Sequence, residues 1–323
     1  MSAQPDGAAL VARLATGCIR TCARLITAIE RDDPGIVPVL QALYRAGGRT
    51  KIIGVTGPPG AGKSSLVNQF VAQLRKRGRS VAVLAIDPSS PFTGGAVLGD
   101  RLRMMQHSCD DAVFIRSMAS RGQLGGLARA AGDALTVLDA MPWDHVIVET
   151  VGVGQNETDV MRLADMVVLV QTPMGGDDVQ AAKAGITEIG DVYVVNKADL
   201  GDAGRTVHFL QDMISLGRRL HPETSWTPPV VKTESLSGDG VSDVVDHIDR
   251  RFADLATNVE EARKRARRRI EHRTSEILRE RAERHLRRQD DHRLDASIDC
   301  VMRREQDPYF LASAVLARSA TPS

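Results

Sequence analysis

The chain has 323 residues, 42% of them hydrophobic, which is enough for one large domain with attached helices or for two modest domains. The formal net charge of +1 and the aromatic content of 3% give no whole-chain indication of binding to nucleic acid or to an anionic membrane. No run approaches the roughly eighteen apolar residues of a membrane span, and the four cysteines form no C-x-x-C pair. We therefore expect a cytoplasmic protein with reduced thiols and with neither nucleic acid nor a membrane as a partner.

The first predicted region, residues 1–48, is helical. Residues 32–35 (DDPG) are typical of a break between helices, and a further helix is predicted over residues 37–46. Before the break, apolar residues recur at helical spacing and predict one helix; they are Leu10, Leu14, Ile19, Leu25, Ile26 and Ile29.

The second predicted region, residues 49–256, alternates short apolar runs with helical patterns. The runs are continuous rather than alternating, which is typical of parallel strands that are covered on both faces. The pattern predicts an α/β fold with three layers and a mostly parallel sheet. The predicted strands are residues 52–55, 81–86, 113–115, 145–148, 166–170, 192–195 and 230–231.

The third predicted region, residues 257–323, is a helical extension that opens with two basic runs, residues 263–265 and 267–269. Two interpretations remain open. The first, which we favour, is a solvated helix with many ion pairs, because glutamates follow the basic runs. The second is a nucleic-acid surface, which the lack of accompanying aromatic residues disfavours.

Residues 57–65 carry the most specific motif of the chain. Residues 57–64 match G-x-x-x-x-G-K-[ST]; the motif follows a predicted strand and opens a predicted helix over residues 65–75. In this P-loop motif, glycines let backbone N–H groups turn toward phosphate oxygens, and the helix N-terminus adds partial positive charge. The alternative is a glycine-rich turn without a ligand. The predicted nucleotide-binding residues here are Gly57, Pro58, Pro59, Gly60, Ala61, Gly62, Lys63, Ser64 and Ser65, with Lys63 at the β- and γ-phosphates and Ser64 on Mg²⁺.

A second motif, N-K-A-D, follows the predicted strand 192–195. Asn196, Lys197 and Asp199 are the predicted guanine readers. A carboxylate at this place can accept hydrogen bonds from guanine N1–H and the exocyclic amine, whereas adenine offers no donor at those positions. Alone, the motif could be an ordinary turn, but it follows a P-loop, and this combination predicts GTP and GDP as the ligands. Thr233, Glu234 and Ser235 follow the last strand and complete the predicted base site.

Further candidates follow other strands. Asp87 and Glu149 end predicted strands and are expected to bind Mg²⁺ or to position the attacking water, and the N–H of Gly152 is expected at the γ-phosphate. Each carboxylate could instead cap a turn or a helix. Asp100 is a weaker switch candidate, and Asp178 could serve either as a switch residue or as a helix N-cap.

Longer strings of residues resemble one family. GVTGPPGAGKSS, AIDPSSPFTGGAVLGDR, VETVGVGQNE, GDDVQAAKAGI and VVNKADL are similar to those of the MeaB/ArgK GTPases, the bacterial relatives of the human methylmalonic aciduria type A protein. ARLITAIERDDP and QDPYFLASAVL extend the resemblance toward both ends of the chain.

The resemblance implies a Mg²⁺-dependent GTPase that converts GTP and water to GDP and phosphate. It implies a homodimer, held partly by its C-terminal segment, that gates cofactor delivery to an adenosylcobalamin-dependent acyl-CoA mutase and protects or reactivates that enzyme. Hydrolysis in this family is slow and is stimulated by the mutase. By position, the resemblance places Gln155, Asp177, Asp178 and Lys183 in switches that communicate with the partner.

Two other functions remain open at this point. One is an ATPase or kinase associated with lysine, arginine and ornithine transport, which would use ATP; the N-K-A-D motif disfavours it. The other is a nickel-type metal-insertase GTPase. Such proteins usually display Cys and His ligands, and the sequence offers no convincing set of them.

Overall fold

The computed structural model describes residues 7–87, 107, 109–119, 126–150, 161–173, 190–220, 225–286 and 292–319. Contacts group the chain into two compact units, Met1–Arg269 and Ile270–Ser323. The domain limits that the sequence predicts, at residues 48 and 256, stay predictions.

A seven-stranded, all-parallel sheet forms the centre of the first unit, in the order β3-β2-β4-β1-β5-β6-β7. Every predicted strand is present. Each strand is longer than its predicted apolar run, because polar residues continue the strand pairing. For example, the prediction ended β3 at residue 115, but the strand continues through Arg116, whose side chain forms an ion pair with Glu30. The strands are β1 (Lys51–Thr56), β2 (Val81–Asp87), β3 (Val113–Ala119), β4 (His145–Thr150), β5 (Met166–Gln171), β6 (Val192–Asn196) and β7 (Val230–Thr233).

Ten helices lie in the part of the chain that the structure describes. They are α1 (Gly7–Ala15), α2 (Ile19–Glu30), α3 (Ile36–Ala46), α4 (Lys63–Lys76), α5 (Gly126–Asp139), α6 (Ala203–Leu220), α7 (Val241–Thr257), α8 (Val259–Leu286), α9 (His292–Met302) and α10 (Pro308–Ser319). None of the described helices has the length and the apolar character that a membrane span requires.

The two faces of the sheet bury separate apolar clusters, because successive strand residues point to opposite faces. Val146 and Val148 of β4 pack in a cluster with α1, α2, α3 and α5. Ile147, between them, packs in a cluster with α4 and α7. Strands covered on both faces account for the continuous apolar runs, and the predicted three-layer α/β fold is confirmed.

The N-terminal region departs from the prediction at Gly17. We predicted one helix through Ile29, but α1 ends at Ala15 and α2 begins at Ile19. Gly17 has φ = +78°, and its N–H bonds to the carbonyl of Leu14 while the N–H of Cys18 bonds to that of Arg13. This pair of bonds is a Schellman helix end, which requires a residue in the left-handed region. The apolar periodicity continues across the break and so hides it.

Helix α8 matches the ion-paired interpretation and adds inward contacts that the sequence did not predict. Arg279 pairs with Glu276, and Arg284 with Glu280, on the same helix. Nearer its start, Arg265 lies 2.8 Å from Asp191, just before β6. The basic start of α8 therefore contributes contacts within the first unit as well as a solvated surface.

Candidate functional site

The carboxyl ends of the parallel strands meet at one edge of the sheet, and the predicted site residues that the structure describes lie there. The chain runs from β1 out to β3, returns at β4 and then continues to β5 on the other side of β1. The strand order therefore reverses beside β1, where ligands of open α/β sheets bind. Val55 of β1 is in register with Glu149 of β4, so the loop after β1 begins beside that carboxylate.

The glycines of the P-loop are required by conformation and by close approach. Gly57, Gly60 and Gly62 have φ of +149°, +77° and +85°. A Cβ atom on Gly57 would lie 2.0 Å from the carbonyl oxygen of Val170, and one on Gly62 would lie 2.4 Å from Nδ2 of Asn196. Any side chain at these two positions would push the loop away from β5 or from the end of β6.

Lys63 opens α4 and curls back over the P-loop. Its buried side chain donates from Nζ to the carbonyl oxygens of Gly57, at 2.6 Å, and of Pro58, at 3.1 Å. The sequence predicted that the helix begins at Ser65, but in the structure it begins at Lys63. An ammonium group thus lies at a helix N-terminus beside a glycine loop, an arrangement that favours an anion with several phosphate oxygens.

Ser64 and Glu149 come together from different elements. The Ser64 hydroxyl donates to Oε1 of Glu149 at 2.5 Å, and both residues are buried. A hydroxyl and a carboxylate are oxygen ligands of the kind that Mg²⁺ prefers beside a nucleotide phosphate. The donor set therefore fits the magnesium ion that the sequence predicted.

Asn196 lies at the centre of a buried hydrogen-bond network. Its Nδ2 donates to the carbonyl of Ala61 at 2.8 Å and to Oγ of Ser235 at 3.1 Å. Its Oδ1 accepts from Oγ1 of Thr233 at 3.0 Å and from the N–H of Ser235 at 3.1 Å. An asparagine amide has two donor hydrogens and two acceptor sites, and these four bonds use all of them. Asn196 thus holds the P-loop against the loop after β7, and its role as a guanine reader stays a prediction.

The other predicted base-site residues surround Asn196. Lys197 is half-buried and has φ = +57°, which turns the chain outward after β6. Asp199 is exposed, Thr233 and Ser235 are buried, and Glu234 is half-buried. The carboxylate of Asp199 is thus the most exposed of the three predicted guanine readers.

Several predicted residues cannot be placed. Asp87 ends β2 at the same edge of the sheet, but its side chain is outside the described part of the structure. The remaining switch and partner predictions also lie outside the described residues; they are Asp100, Gly152, Gln155, Asp177, Asp178 and Lys183.

Sequence reasoning missed Gln69, which contacts the same network. It lies on α4, and its Nε2 donates to the carbonyl oxygen of Ser235 at 3.1 Å. No motif marks this residue. The one sequence feature that could have indicated Gln69 is its position as a polar residue next to Phe70, among the buried apolar residues of α4.

Fold and site together define a P-loop nucleoside triphosphatase. The sequence profile of the family described as methylmalonyl-CoA mutase-associated GTPase MeaB matches residues 22–291, and the chain belongs to this family. It is therefore a GTPase, as its relatives are also named.

Relatives match most of the chain. A candidate GTPase of Pyrococcus abyssi is 44% identical over 310 residues, 95% of each chain. GTPase ArgK of Escherichia coli is 39% identical over 242 residues, 72% of each chain. The mouse mitochondrial methylmalonic aciduria type A homolog is 38% identical over 196 residues, 60% of this chain and 47% of that one. The crystal structure of a LAO/AO transport system kinase covers 98% of both chains at 28% identity with a TM-score of 0.64.

Proposed function

We propose that this GTPase is a cytoplasmic G-protein chaperone of an adenosylcobalamin-dependent acyl-CoA mutase of the methylmalonyl-CoA mutase type. It gates delivery of the cofactor to the mutase and protects or reactivates that enzyme. The observation that carries the proposal is the match of residues 22–291 to a family described by its association with this mutase. The similarity to the mouse methylmalonic aciduria type A homolog supports it.

The phosphate end of the site suits GTP hydrolysis by positioning and by charge neutralisation, the main requirements of phosphoryl transfer. Lys63 already lies over the P-loop, with its ammonium 2.6 Å from the carbonyl of Gly57. When a triphosphate binds, this ammonium is placed to contact the β- and γ-phosphate oxygens. The N-terminal N–H groups of α4 add partial positive charge to the same oxygens.

Ser64 and Glu149 are the residues that we propose hold Mg²⁺, with Asp87 as a third candidate from the neighbouring strand end. When bound, the ion neutralises charge on the β- and γ-phosphate oxygens. The 2.5 Å contact between Ser64 and Glu149 keeps both oxygens together at the end of β4. Burial of Glu149 keeps its carboxylate in a fixed position.

The base end of the site suits guanine through Asp199. Its exposed carboxylate can accept from guanine N1–H and from the exocyclic amine, while adenine would leave it without these donors. Lys197 and the loop from Thr233 to Ser235 flank it, and the network of Asn196 holds that loop in place. The phosphate and base ends are thereby linked through buried hydrogen bonds.

We also propose that hydrolysis is slow until the mutase binds. A charge-stabilising group would then arrive with the partner, and Asp100, Gly152, Gln155, Asp177, Asp178 and Lys183 are the proposed switch and contact residues. The C-terminal helical extension, residues 257–323, is the proposed dimerisation element, and the exposed Met302, Tyr309 and Phe310 support this role. Pairing with a second copy would remove these apolar side chains from water.

A second candidate function is the ATPase or kinase of lysine, arginine and ornithine transport. The observation that favours it is the likeness to a crystal structure titled LAO/AO transport system kinase, over 98% of both chains. It requires ATP as the substrate, and the exposed carboxylate of Asp199 weighs against this.

The test is nucleotide hydrolysis by the purified protein, with GTP and ATP in parallel, with and without an adenosylcobalamin-dependent mutase from the same genome. We expect GTP turnover that rises strongly when the mutase is added, and a Lys63→Ala variant serves as the control for contaminating activity. Absence of stimulation by every encoded mutase would remove the chaperone proposal. ATP turnover in place of GTP turnover would favour the transport kinase.

A further inference from the structure

Gln69 links the phosphate-binding helix directly to the loop after β7. It lies six residues after Lys63 on α4, and its Nε2 donates to the carbonyl oxygen of Ser235 at 3.1 Å. The amide also lies against Gly238: a Cβ atom placed there would be 3.4 Å from Oε1 and 3.9 Å from Nε2 of Gln69. One side chain of α4 therefore bonds to this loop at Ser235 and occupies the space beside Gly238.

The loop is a closed unit. The N–H of Glu234 bonds to the carbonyl of Asp239 at 3.0 Å, and the N–H of Gly238 bonds to the carbonyl of Glu234 at 2.8 Å. These bonds tie the ends of the loop together. The bond from Gln69 to Ser235 attaches this closed loop to α4.

Ser235 is held from two sides. Its N–H and Oγ both bond to the side chain of Asn196, the last residue of the base-side strand β6. Its carbonyl bonds to Gln69, which belongs to the helix that starts at the phosphates. Ser235 is buried, whereas the next residue, Leu236, is 84% exposed, so the chain leaves the core directly after this double attachment.

We propose that Gln69 is a positioning residue that sets guanine selectivity by fixing the base-side loop relative to the phosphate-binding helix. The inference rests on the proposed guanine site. A nucleotide spans both ends of the site, so its base can meet Asp199 and the loop only when the distance between the two ends is correct. Gln69 reaches this loop from the helix that opens with the P-loop lysine.

The test compares nucleotide affinities of Gln69→Ala and Gln69→Glu with those of the unaltered full-length protein. Gln69→Glu keeps the shape of the side chain but replaces the donor with a carboxylate facing the Ser235 carbonyl. Dissociation constants for GTP and for ATP are measured by competition with a fluorescent guanine nucleotide in Mg²⁺ buffer. Gln73→Ala is the matched control, because Gln73 is a half-buried glutamine one turn further along α4.

We expect the affinity for GTP to fall about five-fold in Gln69→Ala, the effect of one hydrogen bond, and at least as far in Gln69→Glu. The affinity for ATP should stay unchanged, since adenine takes no selective contact from the base site. Gln73→Ala should bind both nucleotides as the unaltered protein does. The melting temperature is measured on every variant.

Two results would overturn the inference about Gln69 and leave the guanine site in place. The first is guanine selectivity that survives in Gln69→Ala. The second is an equal loss of affinity for GTP and ATP together with a lowered melting temperature, which would give Gln69 a structural role only. If the unaltered protein itself does not prefer GTP over ATP, the proposed guanine site fails, and the inference fails with it. The nucleotide preference of the unaltered protein thus distinguishes failure of the proposed guanine site from failure of the inference about Gln69.

Discussion

Nε of Arg251 donates to Oδ1 of Asp191 at 3.0 Å, and the two side chains are 0% and 3% exposed. Asp254 and Glu261 also pair with this guanidinium, and the ring of Trp226 lies 4.9 Å from it. The pair joins α7 to the start of β6, at the amino ends of the strands, whereas the P-loop lies at their carboxyl ends. It is a structural centre distinct from the candidate site.

Arg251→Met should lower the free energy of unfolding by about 3 kcal/mol, because it leaves a buried aspartate without one of its cations. Urea unfolding measures the change. Arg250→Met is the control: its side chain is exposed on the same helix, and we expect a change within about 0.5 kcal/mol. Equal losses in the two variants would contradict the assignment of the buried pair.

Glu149→Gln should weaken Mg²⁺ binding by about 10- to 100-fold, because an amide oxygen replaces a charged ligand beside Ser64. GTP turnover should then require a higher Mg²⁺ concentration, which a titration of the hydrolysis rate measures. Binding of GDP in EDTA provides an internal control and should not change. Loss of GDP binding in EDTA would show that the variant disturbs the P-loop itself.

Asn196→Ala should lower the free energy of unfolding by about 2–4 kcal/mol in the absence of nucleotide, because it leaves the buried groups of Ala61, Thr233 and Ser235 without a partner. Chemical denaturation of the nucleotide-free protein measures this. A variant as stable as the unaltered protein, with reduced GTP affinity only, would instead support direct contact between Asn196 and the base.

Asp199→Asn should leave the free energy of unfolding within about 0.5 kcal/mol of that of the unaltered protein, since the side chain is exposed. Its effect should appear in nucleotide choice: the affinity for GTP falls while that for xanthosine triphosphate rises, because an amide can donate where the carboxylate accepts. Competition binding with both nucleotides measures the ratio. An unaltered preference would remove Asp199 from the base site.

His145 should make the stability depend on pH. Burial, assisted by the charges of Lys51 and Arg79, lowers the pKa of this fully buried imidazole from 6.5 to about 4, although Asp249 and Asp144 oppose the shift. Among the described residues neither ring nitrogen has a hydrogen-bond partner. The folded protein thus keeps His145 neutral, while the unfolded chain takes up a proton below pH 6.5.

The free energy of unfolding should therefore fall by about 3 kcal/mol as the pH drops from 6.5 to 4, and this part of the slope should vanish in His145→Leu. Urea unfolding at several pH values measures it. His208→Gln, at an exposed histidine of α6, should keep the slope of the unaltered protein. A slope that survives in His145→Leu would assign the effect to other groups.

The sheet could be predicted from the sequence because burial on both faces leaves a local trace. Ile147 and Val148 point to opposite faces, yet both are buried, so the strand reads as an unbroken apolar run. The P-loop is equally local, since eight consecutive residues carry both the turn and the charge. The apolar strand runs and the P-loop motif can therefore be recognised without knowing which distant segments pack beside them.

The contacts of Asn196 and Arg251 could not be predicted in the same way. The partners of Asn196 come from the P-loop and from the loop after β7, which are distant in sequence. Helical spacing places Arg251, and not Arg250, on the buried face of α7 with Ile248, but its partner Asp191 lies 60 residues away in the sequence. Where partners distant in sequence determine the role of a polar residue, the sequence gives the residue type but does not show which groups its side chain will contact.

Helices α1–α3 pack in the same apolar cluster as β2, β3 and β4, although the ribosome makes them first. Ile26 of α2 and Val148 of β4 belong to this cluster, and Val148 is made roughly 120 residues after Ile26. At ordinary rates of synthesis this delay is on the order of ten seconds. During it the face formed by Leu25, Ile26 and Ile29 lacks the part of its packing that β4 supplies, so chain order leaves this apolar surface incompletely covered during synthesis.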